Sequence, residues 1–138
     1  MIERTTNYRI RYSHTDQMGV VYYGNYPSFY EIGRSEFMRD LGLPYTEVEK
    51  TGVVMPVVEM SSRYYKPFFY DDLIEIKTVL KKLPASSIEF FHEMFNSKGE
   101  LCHTGTVRLG FINVKTMRPT RAPSCIVECL KAEMERSI

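Results

Sequence analysis

One stretch of this chain repeats its apolar residues at helical spacing for about four turns, and nearly every other regular stretch alternates like a strand. Across residues 26–41, Tyr26, Phe29, Tyr30, Gly33, Phe37 and Leu41 share one helical face. Ser28, Glu31, Arg34, Ser35 and Arg39 fall largely off it. Asn25 is placed to cap this helix, Pro27 is tolerated in its first turn, and Gly42 and Pro44 supply stop signals. Elsewhere the period is two. Tyr8, Ile10 and Tyr12 alternate with Asn7, Arg9 and Arg11. Ile74, Ile76, Thr78 and Leu80 alternate with Glu75, Lys77 and Lys81, and Ile88, Phe90, His92 and Met94 with Glu89, Phe91 and Glu93. Residues 53–65 are rich in Val and Tyr, and Pro56 within them marks a bulge or an edge. Residues 101–114 read as a strand with both faces mixed, and Ser124–Arg136 as a short amphipathic helix. The segment YTEVEK reads as a connection.

The predicted order is strand, long helix, four strands, short helix. Consecutive strands after a single helix argue for an α+β fold with a mainly antiparallel sheet. One helix covers one face of such a sheet, so the other face and the edges call for a partner subunit. Gly33 inside the apolar stripe costs up to about 1 kcal/mol of helix propensity, a cost explained if a sheet approaches closely there. No linker, repeat or low-complexity tract divides the 138 residues, which read as a single domain, 1–138.

Charge narrows the partners. Eighteen basic and seventeen acidic side chains leave a formal charge of +1, which gives no global footprint for nucleic acid or an anionic membrane, although a local basic patch can still hold phosphate. No stretch approaches the roughly 18 apolar residues of a membrane span, and the first residues contain no apolar leader, so a cytoplasmic protein is expected. Cys102, Cys125 and Cys129 form no metal-like pair, and His14, His92 and His103 lie elsewhere. The thiols read as reduced packing residues, with no metal site expected.

The loop SHTDQMGVVYYGN, between the first strand and the long helix, carries the chemistry. Val20, Val21, Tyr22 and Tyr23 make it apolar enough to wall a pocket, and Gly19 and Gly24 give its backbone freedom. Free N–H groups at the helix start favour negative charge, including a developing oxyanion, and Asp16 a few residues upstream could act on the same carbonyl. The plain alternative is that Asp16 only forms an Asx-turn.

The run RYSHTDQMGVVYYGNYPSFYEIGRSEFMRDLG resembles the signature of the 4-hydroxybenzoyl-CoA thioesterase family of hotdog proteins. The family pattern, roughly D-x-x-G-V/I-V-aromatic-x-x-N-Y, is matched by Asp16, Gly19, Val20, Val21, Tyr22, Asn25 and Tyr26. RYYKPFFYDDLIEIKTVL and RPTRAP resemble later parts of the family more loosely. The resemblance implies a hotdog fold, a five-stranded antiparallel sheet wrapped around one long central helix with a short C-terminal helix. It implies a homodimer or homotetramer with active sites at the dimer interface, CoA extending along the subunit surfaces, and no cofactor beyond the coenzyme A of the substrate. By position, Asp16 matches the catalytic carboxylate and Tyr23 the residue whose backbone N–H binds the thioester oxygen. One bacterial branch carries histidine at the Tyr23 position, so no histidine role transfers here.

The expected activity is thioester hydrolysis of an acyl-CoA, or of an acyl carrier protein thioester. No G-x-S-x-G elbow, nucleophile–histidine pair or metal cluster suggests another route. Asp16 either attacks directly to form a mixed anhydride or activates water, with helix-start amides stabilising the oxyanion. Val21 and Tyr22, from the loop, and Met55, across the interface with Val54, Pro56 and Val57, are candidate substrate contacts. Lys81, Lys82, Arg118 and Arg121 are candidate contacts for CoA phosphates, since comparable family positions are basic. His92 and His103 lie across a predicted hairpin and read as structural or surface residues. Two rival functions share the fold expectation: a hotdog dehydratase or hydratase, whose His with an acidic partner is not visible here, and a noncatalytic acyl-thioester binding protein.

Overall fold

The helix-period stretch becomes α1 (Tyr26–Asp40), and the computed structural model, which describes residues 1–136, lays it across one face of a five-stranded sheet. The strands are β1 (Ile2–Arg9), then, after the helix α2 (Tyr45–Glu49) and the two-residue β2 (Val53–Val54), β3 (Val57–Tyr64), β4 (Leu73–Leu80), β5 (Ser87–Phe95) and β6 (Leu101–Gly110). They run in the order β1-β4-β5-β6-β3, every neighbouring pair antiparallel. β7 (Ile112–Asn113) and β8 (Arg118–Pro119) complete a small second sheet with β2, and α3 (Ser124–Arg136) closes the fold. The α+β hotdog architecture expected from the sequence is the one found.

Alternation set the inner face. Ile74, Ile76, Thr78 and Leu80 of β4 and Ile88, Phe90, His92 and Met94 of β5 are all buried, as are His103, Gly105, Val107 and Leu109 of β6. Register aligns them, with Thr78 opposite His92, His92 opposite Gly105, and Phe90 opposite Val107. Phe29, Tyr30, Phe37 and Met38 of α1 pack on this surface with no exposed area. Gly33 is the point of closest approach. A Cβ built there would stand 2.6 Å from Thr78 Oγ1 and 2.9 Å from Ile76 Cγ2, so the propensity lost at glycine lets the helix descend onto the sheet.

Several local expectations are corrected. β1 starts at Ile2 and ends at Arg9, so Tyr12 lies in a 3-10 turn (Tyr12–His14) and is exposed. YTEVEK is a helix, seated on the body by buried Val48. Residues 53–65 divide at Pro56 between the two sheets, and β3 is an edge strand with a register shift between Val57 and Glu59, so both a bulge and an edge are present. Residues 101–114 divide similarly into β6 and β7. Arg34, expected off the apolar face, is 7% exposed. It lies between Tyr30 and Met38 around the helix, inside the buried arc once α2 packs alongside. Asn25 makes no side-chain cap.

Edge strand β3 leaves Val57 and Val58 exposed at its start and Tyr64 at its end, where Tyr65 is also exposed. The described helices include none long and apolar enough to cross a membrane.

Candidate active site

Residues 10–25 fold back on themselves around one carbonyl. His14 O accepts from the Tyr22 N–H at 2.9 Å and from Asn25 Nδ2 at 2.8 Å. The Asn25 Nδ2 thus closes the loop, and the Asn25 backbone is already helical (φ −89°, ψ −12°) rather than extended as a capping residue would be. Thr15 bridges Val21, Val20 bridges Phe69, and the Val21 N–H donates to Phe68 O at 2.8 Å, fastening the loop to the segment before β4.

Asp16 sits in the tip of this structure, half-buried. Its N–H donates to Val20 O at 2.9 Å, and its carbonyl accepts from Gly19, whose φ of 79° suits glycine. Asp16 Oδ1 accepts from the Met18 N–H at 2.8 Å, so the Asx-turn is present. That turn occupies one carboxylate oxygen and fixes the direction of the group.

Tyr23 opens a 3-10 turn (Tyr23–Asn25) that runs directly into α1, and the first amides of such a segment have no intrahelical acceptor. Val20, hydrogen-bonded to Asp16, is three residues from Tyr23, at most about 11 Å of fully extended chain. The turn that carries Asp16 and the start of the helix are thus joined by a short span of chain. The Tyr23 ring is exposed and packs on Tyr22, centroids 4.5 Å apart, while its carbonyl accepts from Tyr64 Oη at 3.3 Å. A cleft of about 260 Å³ lies here, lined by Val20, Val21, Tyr23, Tyr26, Tyr64 and Lys66 among others. Lys66 is paired with Glu100.

Behind the cleft lies a polar cluster that the sequence did not reveal. The Tyr26 ring stacks on His103 at 4.1 Å, and Tyr64 meets the same imidazole edge-on at 4.7 Å. Tyr30 Oη hydrogen-bonds His103 Nε2 and lies 2.6 Å from Ser62 Oγ, while its ring stacks on His92 at 5.1 Å. Thr78 Oγ1 and His92 Nδ1 are 3.1 Å apart. Burial holds both histidines neutral. It pushes His103 down to about 4 and, assisted by the charge of Arg34, His92 down to about 3. Burial likewise raises the Tyr26 and Tyr30 phenols, Tyr30 to about 12, so neither ionises near neutral pH.

The remaining sequence candidates are dispersed. Val21 is buried and lines the cleft, whereas Tyr22 is exposed and is not among the residues lining it. Met55 is not in this cleft. It lines a second cavity of about 410 Å³ with Glu31, Arg34, Tyr45, Val53 and Leu109. Lys81 Nζ sits 3.9 Å over the Phe91 ring on the outer face of the sheet, Lys82 is exposed in the following turn, and Arg118 is exposed on β8 opposite Asn113. Arg121 lines a separate depression with Pro84 and Ala85. Within one chain these four cations share no cleft.

Comparisons with known proteins agree with this fold. The thioesterase-like superfamily is matched over residues 10–130. The acyl-CoA thioester hydrolase YbgC of Escherichia coli O6:H1 is 30% identical over 119 residues, covering 86% of this chain and 89% of the relative. The structure of DHNA-CoA thioesterase from Staphylococcus aureus superimposes with a TM-score of 0.89 at 34% identity, covering 99% of this chain and 92% of that one. A 4-hydroxybenzoyl-CoA thioesterase variant complexed with 4-hydroxybenzoyl-CoA shares the fold, with a TM-score of 0.81 at 22% identity over 92% of this chain and 97% of the other.

Proposed function

The chain belongs to the thioesterase-like superfamily, and from that premise we propose that it hydrolyses an acyl-CoA thioester to a free acid and coenzyme A. One observation supports the assignment of residues: Asp16 is held by the Met18 N–H in a turn hydrogen-bonded to Val20, three residues before the helix-opening Tyr23. The thioester carbonyl oxygen is directed at the Tyr23 N–H, and the free side of the Asp16 carboxylate faces the carbonyl carbon.

Two routes fit that geometry. In one, Asp16 attacks the carbonyl carbon, the C–S bond breaks, CoA leaves as thiolate, and water cleaves the resulting mixed anhydride. In the other, Asp16 takes a proton from water as water attacks, and the tetrahedral intermediate expels thiolate. Both develop negative charge on the carbonyl oxygen, where an amide donor and the positive end of α1 stabilise it. Thiolate is a good leaving group, so no strong acid is required, which accords with neutral histidines and high-pKa tyrosines behind the cleft.

The working unit is a pair of chains, with 1–138 as one domain in each. Exposed Tyr23, Tyr64 and Tyr65 line the cleft, and Val57 and Val58 are exposed at the other end of the same edge strand, apolar surface that a second copy would cover. The Met55 cavity then receives the acyl group of a thioester held by the loop of the other copy. Lys81, Lys82, Arg118 and Arg121 are exposed and open to the phosphates of CoA along the subunit surfaces. A cytoplasmic setting and an acyl carrier protein as alternative donor belong to the same reading.

Thiol-release kinetics on a panel of aliphatic and aromatic acyl-CoAs test it. Stoichiometric free thiol and free acid are expected. An acyl-CoA bound intact with no thiol release, or a product altered at the acyl β-carbon, would contradict it.

A further inference from the structure

The peptide unit that follows Tyr23 sits in a turn with two accessible forms, and one side chain holds it in the form found. Tyr22, Tyr23, Gly24 and Asn25 make a four-residue turn closed by the Asn25 N–H donating to Tyr22 O at 3.0 Å. It has the 3-10 form, with Tyr22 extended before it (φ −62°, ψ 134°) and Asn25 helical at its end. A turn closed in this way has a second form, reached by rotating its central peptide, here the Tyr23 carbonyl and the Gly24 N–H. That second form needs positive φ at the third residue, and the third residue is Gly24, the type that adopts positive φ without steric cost. Gly24 is not at positive φ, so the turn takes the first form although its sequence suits the second as well.

The helix itself does little to secure that choice. In an α-helix Tyr23 O would accept from the N–H of residue 27, and residue 27 is Pro27. The carbonyl is left with 3-10 geometry, which is poorer, and with a donor from outside the helix. Tyr64 Oη is that donor, at 3.3 Å, from the last residue of edge strand β3. Its ring packs edge-on against Tyr26 at 5.0 Å and His103 at 4.7 Å, both of them buried. Rotating the central peptide would break the Tyr64 bond and exchange the directions of the Tyr23 carbonyl and the Gly24 N–H. The bonds from Tyr22 N–H to His14 O and from Asn25 N–H to Tyr22 O would survive it. We propose that Tyr64 is a positioning residue for hydrolysis, its hydroxyl holding the Tyr23–Gly24 peptide so that no carbonyl oxygen turns towards the thioester oxygen. The inference rests on the helix start being the oxyanion site. In the rotated form a carbonyl dipole meets the developing negative charge in place of donors. Tyr64 acts through Tyr23 and not on the substrate.

The test compares Tyr64→Phe with the unaltered full-length chain on benzoyl-CoA and hexanoyl-CoA. Phenylalanine keeps the ring against Tyr26 and His103 and removes only the donor. Both kcat and kcat/KM fall by about three- to tenfold, the effect of one lost hydrogen bond felt in the transition state, while KM and the thermal midpoint stay nearly unchanged. Infrared difference spectra of the same two acyl-CoAs, isotope-labelled at the thioester carbonyl and bound to the Asp16→Asn protein, read the donors directly. The carbonyl stretch lies below its value in free acyl-CoA, and adding Tyr64→Phe moves it back towards that value. Gly24→Ala supplies the rescue, because alanine disfavours positive φ, and the exposed Tyr22 ring, 2.5 Å from the added methyl, swings aside. Measured in the Gly24→Ala background, Tyr64→Phe costs about twofold or less. An unchanged kcat, or a stretch that Tyr64→Phe does not move, overturns the proposal. So does an undiminished loss in the Gly24→Ala background, which would put the hydroxyl on the substrate itself. A merely structural Tyr64 would lower the midpoint and raise KM without moving the stretch, and that result also overturns it. A carbonyl stretch at its free value with Tyr64 in place overturns the oxyanion reading and the proposal together. Absence of thiol release by the unaltered protein overturns the thioesterase reading, and with it any role in hydrolysis.

Discussion

Acidification from pH 8 to pH 5 is expected to destabilise the fold by about 4 kcal/mol through His92 and His103. Both rings are buried, at 1% and 0% exposure, and are held down to about 3 and about 4. In the unfolded chain each returns to its ordinary value of 6.5. Because the folded values lie below the unfolded one, the unfolded state binds more protons in acid. The stabilisation is complete above the unfolded value and is lost as pH falls toward the folded ones. At pH 5 an unfolded histidine is nearly all protonated and a folded one nearly all neutral, which amounts to about 2 kcal/mol per ring. Their sum is a large share of the 5–15 kcal/mol typical of a domain. His14, more exposed and also lowered, adds a smaller share of the same sign. Glu100 and Glu133, held below the ordinary 4.5 by Lys66 and Arg4 respectively, act mainly at lower pH. Equilibrium urea unfolding across this window, at one protein concentration, measures the loss, and His103→Gln, which keeps a polar partner for Tyr30 Oη, halves it. A change of less than about 1 kcal/mol would refute the neutral, buried state of the pair.

Gly33→Ala gains about 1 kcal/mol of helix propensity but drives a methyl into Thr78 and Ile76, and overpacking of this kind costs about 1–3 kcal/mol. A net loss is expected in urea unfolding, and a stabilised variant would contradict the close helix–sheet approach. Tyr23→Phe changes turnover only modestly, because the amide is the working group, whereas Tyr23→Pro loses about a hundredfold once shown to fold and to bind a nonhydrolysable acyl-CoA. A severe loss in Phe beside a mild one in Pro would transfer the role to the hydroxyl. Light scattering should give at least twice the 16.2 kDa of one chain, and an active monomer would rule out a shared site.

The fold was legible where side-chain period and burial coincide. Ile74, Ile76, Thr78 and Leu80 announce a strand because alternate positions see different solvents, and the face of α1 is readable for the same reason. Pro56 marked its bulge and edge because a missing N–H cannot serve a ladder. The failures lie where a distant element decides. Arg34 reads as a solvated cation until α2 covers it, and YTEVEK carries too short an apolar pattern to announce that helix. Asn25 is an ordinary cap by sequence, yet its amide goes to His14 across a loop closure that no local rule foresees. His92 falls in phase with Ile88, Phe90 and Met94, so its burial could have been inferred from that alternation. Its stacking on Tyr30, contributed by the helix, could not. Asp16 and Tyr23 were placed by a resemblance over one continuous loop, which the fold keeps together, while Lys81, Lys82, Arg118 and Arg121 came from separate turns and remain separate.

The most direct measurement is thiol release by Asp16→Asn, with acyl-CoA binding measured on the same preparation. Asn is nearly isosteric, and its side-chain oxygen can still accept from the Met18 N–H, so the turn and the cleft are retained. The substitution removes the basicity and nucleophilicity of the carboxylate. A folded variant that binds acyl-CoA comparably to the unaltered protein, with turnover lower by about 100- to 10,000-fold, is the result predicted for a working carboxylate. Turnover near that of the unaltered protein would remove Asp16 from the mechanism and leave the Asx-turn as its whole role.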